Sequence, residues 1–136
     1  MPPKLCTITL NWKGWQDTLD CLGSLVEARP GPSTTVVCDN GSTNDSTQHI
    51  MRWARSRFSP SQIQEINHND AWGSLPSAPG FVLIRNLGNL GFSGGNNPGI
   101  RWALMQGRFD FIWLLNNDTQ LHPQAPKHLC DCADRQ

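Results

Sequence analysis

The sequence predicts an α/β fold in which helices flank a mostly parallel sheet, and three observations predict it. Four apolar runs rich in β-branched or aromatic residues, at 5–10, 34–38, 81–85 and 109–115, have the length and composition of buried strands. Segments with helical periodicity alternate with these runs, and strand–helix alternation implies parallel strands joined by right-handed crossovers. The length of 136 residues fits one domain of roughly 100–200 residues. A domain near this size hides about 68% of its unfolded surface.

The first run ends at Asn11 and Trp12. In the helix after it, Trp15, Leu19, Leu22 and Val26 recur at i, i+4, i+7 and i+11 and line one face. The second run ends at Asp39-Asn40-Gly41-Ser42. A helix is expected over about 45–57, with Ile50, Trp53 and Ala54 facing inward. Ser42 and Asp45 have the Ser-x-x-acid spacing of a capping box at its start. Residues 59–80 are polar, with prolines and glycines gathered near 74–80, and read as one long flexible loop. The third run ends at Asn86 and enters a glycine-rich stretch from Gly88 to Gly99. Asn97 is a good N-cap and Pro98 suits a first turn, which places Ile100, Ala103 and Leu104 on one helical face. The fourth run ends at Asn116-Asn117-Asp118-Thr119. Residues 122–136 carry Pro123 and Pro126 and read as a helix start that stops early.

Eleven basic side chains balance eleven acidic ones, so the formal net charge is zero. Nucleic-acid binding needs a basic excess or stripe, and Arg52, Arg55 and Arg57 form only a local cluster, so no nucleic-acid partner is expected. A hydrophobic content of 38% with six Trp argues against disorder. No apolar run approaches the roughly 18 residues of a membrane span. The N-terminus lacks the charged and apolar regions of a signal peptide. Five cysteines without regular spacing fit reduced thiols in a cytoplasmic protein better than a disulfide framework. The sequons at Asn40, Asn44 and Asn117 then read as chance.

In open parallel sheets, ligands bind beyond the carboxyl ends of the strands, and all four ends here are polar. The glycine-rich stretch precedes a helix, so its backbone N–H groups and the helix dipole suit an anion such as a diphosphate. It is neither a G-x-G-x-x-G fingerprint nor a P-loop, because Ile100-Arg101 stands where Lys-Ser/Thr is needed. The same glycines equally suit a tight turn with close strand–helix packing. Asp39 is placed to accept hydrogen bonds from a nucleobase or ribose, or to end its strand in an Asx-turn. Asp118 offers a hard oxygen ligand for Mg²⁺ or Mn²⁺ bridging phosphates, or is a surface acid in a turn. Trp12 is placed to line a base pocket. His128, Cys130 and Cys132 supply too few ligands for a zinc site. No Ser-His-Asp set or His-Glu-x-x-His motif is present.

Taken in order, four segments resemble those of family 2 glycosyltransferases. Leu10-Asn11-Trp12-Lys13-Gly14-Trp15 is similar to their first strand-to-helix segment, and Val37-Cys38-Asp39-Asn40-Gly41-Ser42 to their V-D-N-G-S segment. Arg85-Asn86 through Gly99-Ile100 resembles R-N-x-x-N-x-G-F-x-G-G-N-N-x-G-I, and Trp113 to Thr119 resembles the strand end that carries D-x-D. The rhamnosyltransferase-like branch is the nearest in pattern, and the resemblance covers about 5–123.

The resemblance implies a Rossmann-like GT-A fold that binds a nucleotide-diphospho-sugar donor and transfers the sugar to a hydroxyl on a sugar or lipid-linked acceptor. It implies nucleotide contacts from Asn11, Trp12, Asp39, Asn89, Gly94, Gly95, Asn96 and Asn97, and a Mg²⁺ or Mn²⁺ held by Asp118 with Asn116. Asn116 stands where the motif's first acid is expected, which removes one carboxylate from the cation site. Members of the family continue well beyond this strand, where they build the acceptor pocket and supply the general base. No residue here matches that base. The sequence therefore reads as one partial domain over 1–136, the donor-binding half of the fold, in the cytoplasm or peripheral to the cytoplasmic face of a membrane. Self-association through an exposed sheet edge is expected. Two other readings stay open: a non-catalytic nucleotide-binding or interaction module, and, more distantly, a nucleotidyltransferase.

Overall fold

A computed structural model describes residues 3–70 and 72–135. Along the chain run β1 (Leu5–Asn11), α1 (Trp15–Glu27), β2 (Thr34–Asp39), α2 (Ser46–Arg57), β3 (Ile63–Asn67), β4 (Phe81–Arg85), α3 (Gly91–Gln106), β5 (Phe111–Asn116) and α4 (Ala125–Asp134). The strands form one sheet in the order β3-β4-β2-β1-β5, and every pair is parallel. This is a Rossmann-like α/β sheet with the parallel strands that the alternation predicts. The register sets Asn11 beside Asp39, Asp39 beside Arg85 and Leu10 beside Asn116, so the polar strand ends share one edge.

Side-chain alternation along the strands sorts the core into two layers. On one face, Val37, Phe81, Leu83 and Leu115 meet Cys21, Leu22 and Leu25 of α1 and Ile50, Met51 and Ala54 of α2. On the other, Cys6, Ile8, Val36, Cys38, Val82 and Ile84 meet Trp102 and Ala103 of α3. The connection from β4 to β5 crosses the second face while the first two crossovers cover the first. The strand order therefore reverses between β1 and β5, which makes their carboxyl ends the topological switch point.

Helix α3 sits close to the sheet because two glycines one turn apart face it. A Cβ at Gly95 would lie 2.6 Å from Leu10 Cδ1, and one at Gly99 would lie 2.9 Å from both Cys38 Sγ and Ile8 Cγ2. Of the two roles the sequence allows these glycines, close packing is the one this contact displays.

Four sequence expectations are corrected. Residues 59–80 are not one continuous loop, since they hold a 3₁₀ turn at Pro60–Gln62 and the edge strand β3. The strand is hard to read because Ile63 packs on one face of the sheet and Ile66 on the other, so no period-2 pattern forms. The rest of that segment is tied down: Leu75 N donates to Gln106 Oε1 at 2.9 Å, and Thr34 Oγ1 donates to the Pro79 carbonyl at 2.7 Å. Ala71 lies outside the described residues.

The third helix begins at Gly91 rather than after an Asn97 cap, with Pro98 inside it. Its first N–H groups are capped by side chains. Asn89 Oδ1 accepts from Gly91 N at 3.0 Å, and Asn40 Oδ1, 50 residues earlier, accepts from Leu90 N at 3.1 Å. At the start of α2, Ser42 does not complete a capping box. Its hydroxyl donates to Asp39 Oδ1 at 2.7 Å, and Asn44 Oδ1 accepts from Ser46 N instead. The last segment forms the ten-residue helix α4, longer than the aborted start expected.

Two measurements test this packing. Gly99→Ala forces its Cβ into Cys38 and Ile8 and is expected to lower stability by about 1–3 kcal/mol. Gly23→Ala, within α1 and facing open space, is expected to raise it by about 0.4–1 kcal/mol. Chemical denaturation midpoints should move in opposite directions. The second concerns the core thiols. Burial pushes Cys6 and Cys38 up to about 12 and Cys21 to about 11, from an ordinary value of 9.0. Above pH 9 the unfolded chain sheds these protons while the fold retains them, so stability present below pH 9 drains away toward pH 11–12. Stability is therefore expected to be lower at about pH 10 than at about pH 8, as read from urea unfolding.

Candidate functional site

The carboxyl edge of the sheet is held by a chain of buried polar side chains. Asn11, wholly buried at the end of β1, donates from Nδ2 to Asp39 Oδ1 at 2.9 Å. Its Oδ1 accepts from Thr18 Oγ1 at 2.7 Å, and that hydroxyl accepts in turn from Asn117 Nδ2 at 3.1 Å. Asp39, only 3% exposed, also accepts from the Ser42 hydroxyl and from Ser42 N at 3.0 Å. Its carboxylate therefore closes an Asx-type turn, and a charged acceptor engaged by several donors is stabilised by charge-assisted bonds. The network joins β1, β2, α1 and the loop after β5.

The turn after β1 is held in an uncommon shape. Lys13 has a φ of 58°, a left-handed conformation that costs a non-glycine residue energy. Its N–H donates to Ser42 Oγ at 2.8 Å and its carbonyl accepts from Asn44 Nδ2 at 3.0 Å. This clasp turns Trp12 outward, 50% exposed, with the Lys13 ammonium 4.9 Å over its ring. A second clasp surrounds Asn40. Its Nδ2 donates to Asn89 Oδ1 and the Gly91 carbonyl, and its Oδ1 accepts from Asn86 Nδ2 and Leu90 N. Gly41, with φ of 73°, lets the backbone pass Gly88: a Cβ there would lie 2.5 Å from Gly88 Cα.

Above these networks, at the switch point, opens a cleft of about 280 Å³. Leu10, Trp12 and Phe92 form its apolar walls with Leu115, and Asn116, Asn117 and Asp118 form its polar side. Ligand sites combine apolar walls with a few convergent polar groups in this way. Of the residues the sequence singles out, Trp12, Asn116 and Asp118 meet in the cleft. Asn11 and Asp39 lie beneath it as the network just described. Asn89 caps α3 and is exposed, while Gly94, Gly95, Asn96 and Asn97 lie within the helix. Gly95 and Asn96 are buried there, and Asn97 faces solvent. Phe92 lies in the glycine-rich segment the resemblance marks, and Lys13 in the first strand-to-helix segment, but the sequence singles out neither. Phe92 sits in a glycine-rich run with no periodicity, and the strain at Lys13 depends on partners distant in sequence. Asn40 and Asn86 carried a weak signal, as the first polar residues after buried strands.

The donor set can be tested against a divalent cation. Asp118 is the sole carboxylate lining the cleft, flanked by the amides of Asn116 and Asn117, and no cluster of three or more His, Cys, Asp or Glu exists among the described residues. Such a set does not form a self-sufficient cage, but it fits Mg²⁺ or Mn²⁺, which take one or two carboxylates and complete their shells with water and substrate phosphates. His128, Cys130 and Cys132 diverge on α4, since Cys130 is buried while the other two are exposed. A larger pocket of about 440 Å³ lies at the opposite end, where Leu5 begins β1 and α4 supplies Pro126, Lys127, Cys130 and Asp131. None of the residues placed at the strand ends reaches it.

The sequence matches no protein-family profile and no curated protein. Its fold does match a solved structure. The chain is similar to a mannosyltransferase from Pyrobaculum calidifontis in complex with GDP-Man and Mn²⁺, with a TM-score of 0.64 and 16% identity over 87% of this chain. The match spans 28% of that protein. The chain therefore shares the fold of one part of a nucleotide-sugar transferase.

The Asn40 clasp generates a prediction. Asn40→Ala leaves Leu90 N without its side-chain acceptor, leaves Asn86 Nδ2 with only the Gly95 carbonyl, removes the donor to Asn89 Oδ1 and the Gly91 carbonyl, and is expected to cost about 2–4 kcal/mol. Hydrogen exchange at the Leu90 amide should accelerate well beyond the global change in stability. Unchanged exchange there would show that the start of α3 does not depend on this side chain.

Proposed function

We propose that this chain forms the donor-binding part of a nucleotide-sugar-dependent glycosyltransferase, and that the switch-point cleft receives the nucleotide diphosphate. The observation that carries the reading is the convergence of Trp12, Phe92, Asn116 and Asp118 over the Asn11–Asp39 network. The match in fold to a transferase in complex with GDP-Man and Mn²⁺ supports it. In this reading Trp12 and Phe92 give the base or sugar an apolar wall, and Asp118 with Asn116 holds a Mg²⁺ or Mn²⁺. Such a cation, when bound, neutralises charge on the diphosphate leaving group. Asp39 keeps the β1 and β2 ends in register beneath the nucleotide. The rhamnosyltransferase-like pattern of the sequence belongs to the same proposal, as does a sugar or lipid-linked acceptor. Five free cysteines, with no disulfide among them, support a cytoplasmic setting.

A second reading has its own observation. Asp118 is the one ionisable side chain lining the cleft, and a group that binds the cation is not free to act as general base on an acceptor. A module that binds the nucleotide without turnover is therefore the alternative. The two readings part on transfer or hydrolysis of a donor sugar by the purified chain.

The deciding experiment is calorimetric titration with UDP, dTDP and GDP, each with and without Mn²⁺. One nucleotide should bind, more tightly with metal. Asp118→Ala should abolish the metal's enhancement, about tenfold or more in affinity. Trp12→Ala should weaken binding with and without metal. Failure of all three nucleotides to bind overturns the proposal.

A further inference from the structure

The segment after β5 is laid along α1 and bonded to it at successive points. Thr18, Cys21 and Ser24 stand at i, i+3 and i+6, along one face of that helix. Asn117 Nδ2 donates to Thr18 Oγ1 at 3.1 Å. The Cys21 thiol donates to the Asn116 carbonyl at 3.7 Å. Leu121 N donates to Ser24 Oγ at 3.2 Å, and that hydroxyl donates to the Cys21 carbonyl at 2.7 Å. Past the end of α1, Arg29 N donates to the Pro123 carbonyl at 3.0 Å. At the start of the helix, Gly14 leaves room for the amide: a Cβ there would lie 3.4 Å from Asn117 Nδ2.

These bonds surround a tight turn. Thr119 N donates to the Asn116 carbonyl at 3.2 Å, which closes residues 116–119 and sets Asp118 at the third position. The carbonyl that closes the turn is the one Cys21 holds. The residue before Asp118 is held by Thr18, and Ser24 fixes the exit from the turn. Asp118 itself is exposed, so the direction of its carboxylate follows from the backbone that carries it.

We propose that α1 is the positioning element of the cation site: Thr18, Cys21 and Ser24 hold the turn that presents Asp118 to the cleft, without touching cation or nucleotide. The inference rests on the nucleotide-sugar reading of that cleft and adds the origin of its metal affinity. None of the three side chains lines the cleft. Mg²⁺ and Mn²⁺ sites depend on ligand geometry, and a sole carboxylate that shifts with its turn has no second one to replace it. Ser24 is the informative position, because it takes no part in the Asn11–Asp39 network. Coupling is reciprocal, so an ion held by Asp118 also steadies the bonds that hold its turn.

The test is calorimetric titration of the unmodified chain and of Ser24→Ala with UDP, dTDP and GDP, each with and without Mn²⁺. Hydrogen exchange is followed in parallel. Without any ligand, Ser24→Ala should accelerate exchange at the Leu121 amide beyond the global change in stability. It should lower the enhancement by Mn²⁺ about fivefold or more, while metal-free affinity moves far less. Ser56→Ala removes a similar hydroxyl bond within α2 and should leave the enhancement unchanged. In the unmodified chain, Mn²⁺ with the nucleotide that binds should slow exchange at Leu121. Full enhancement in Ser24→Ala overturns the positioning role, as does an equal loss of affinity with and without metal. Unaltered exchange at Leu121 in the variant overturns the bonded segment on which the role depends. An unmodified chain that binds none of the three nucleotides overturns the reading of the cleft and this inference with it, a result distinct from the others.

Discussion

The carboxyl edge of this sheet depends on one buried side chain, Asn11. It sits where β1 ends, and its amide donates to Asp39 on β2 and accepts from Thr18 on α1. Thr18 passes the connection to Asn117 beyond β5. Asn11 thus ties three elements at the point where the chain reverses its direction across the sheet. A buried amide that lost any of these partners would be left unsatisfied in a low-dielectric setting, which costs more than the bond itself contributes. The network therefore leaves few alternatives for the strand ends. The left-handed turn at Lys13 persists because Ser42 and Asn44 hold it on both sides.

The other face of the sheet is organised by closeness rather than by polarity. Gly95 and Gly99 bring α3 against Leu10, Ile8 and Cys38. That approach delivers the first turn of α3 to the switch point, and with it Phe92. The cleft is thus made by two different devices: a polar network that fixes Trp12 and Asp118 from one side, and glycine packing that brings Phe92 from the other. An extra methyl group at Gly95 would move a wall of the cleft, although the residue does not line it.

The position of the cleft is a property of the topology. Crossovers on opposite faces separate the loops after β1 and β5, and any open parallel sheet with this reversal has a crevice there. What distinguishes this crevice is its chemistry: two aromatic walls, a set of neutral amides and a single carboxylate. Neutral amides orient a polyanion without repelling it. One carboxylate supports a cation only when phosphates complete the coordination. The site is therefore shaped for a ligand that brings its own charge.

Much of the architecture was legible in the residues. The runs at 5–10, 34–38 and 81–85 lie in buried strands because strands covered on both faces are continuously apolar, and that signal is local. The helical faces at Leu22 and at Ile50 and Ala54 were equally plain, since they obey a 3.6-residue period against one layer of core. Asn11, Trp12, Asp39 and Asp118 could be singled out because polar residues at strand ends converge in any parallel sheet. What the sequence could not decide is what depends on partners far along the chain. Asn40 caps α3 from 50 residues away, so the start of that helix was invisible to a local cap pattern. Strand β3 places one Ile on each face of an edge, which erases the alternation that marks a strand. Whether Asp39 turns inward and whether Gly95 serves packing are settled by which atoms lie within a few ångströms. Only the tertiary fold brings those atoms together.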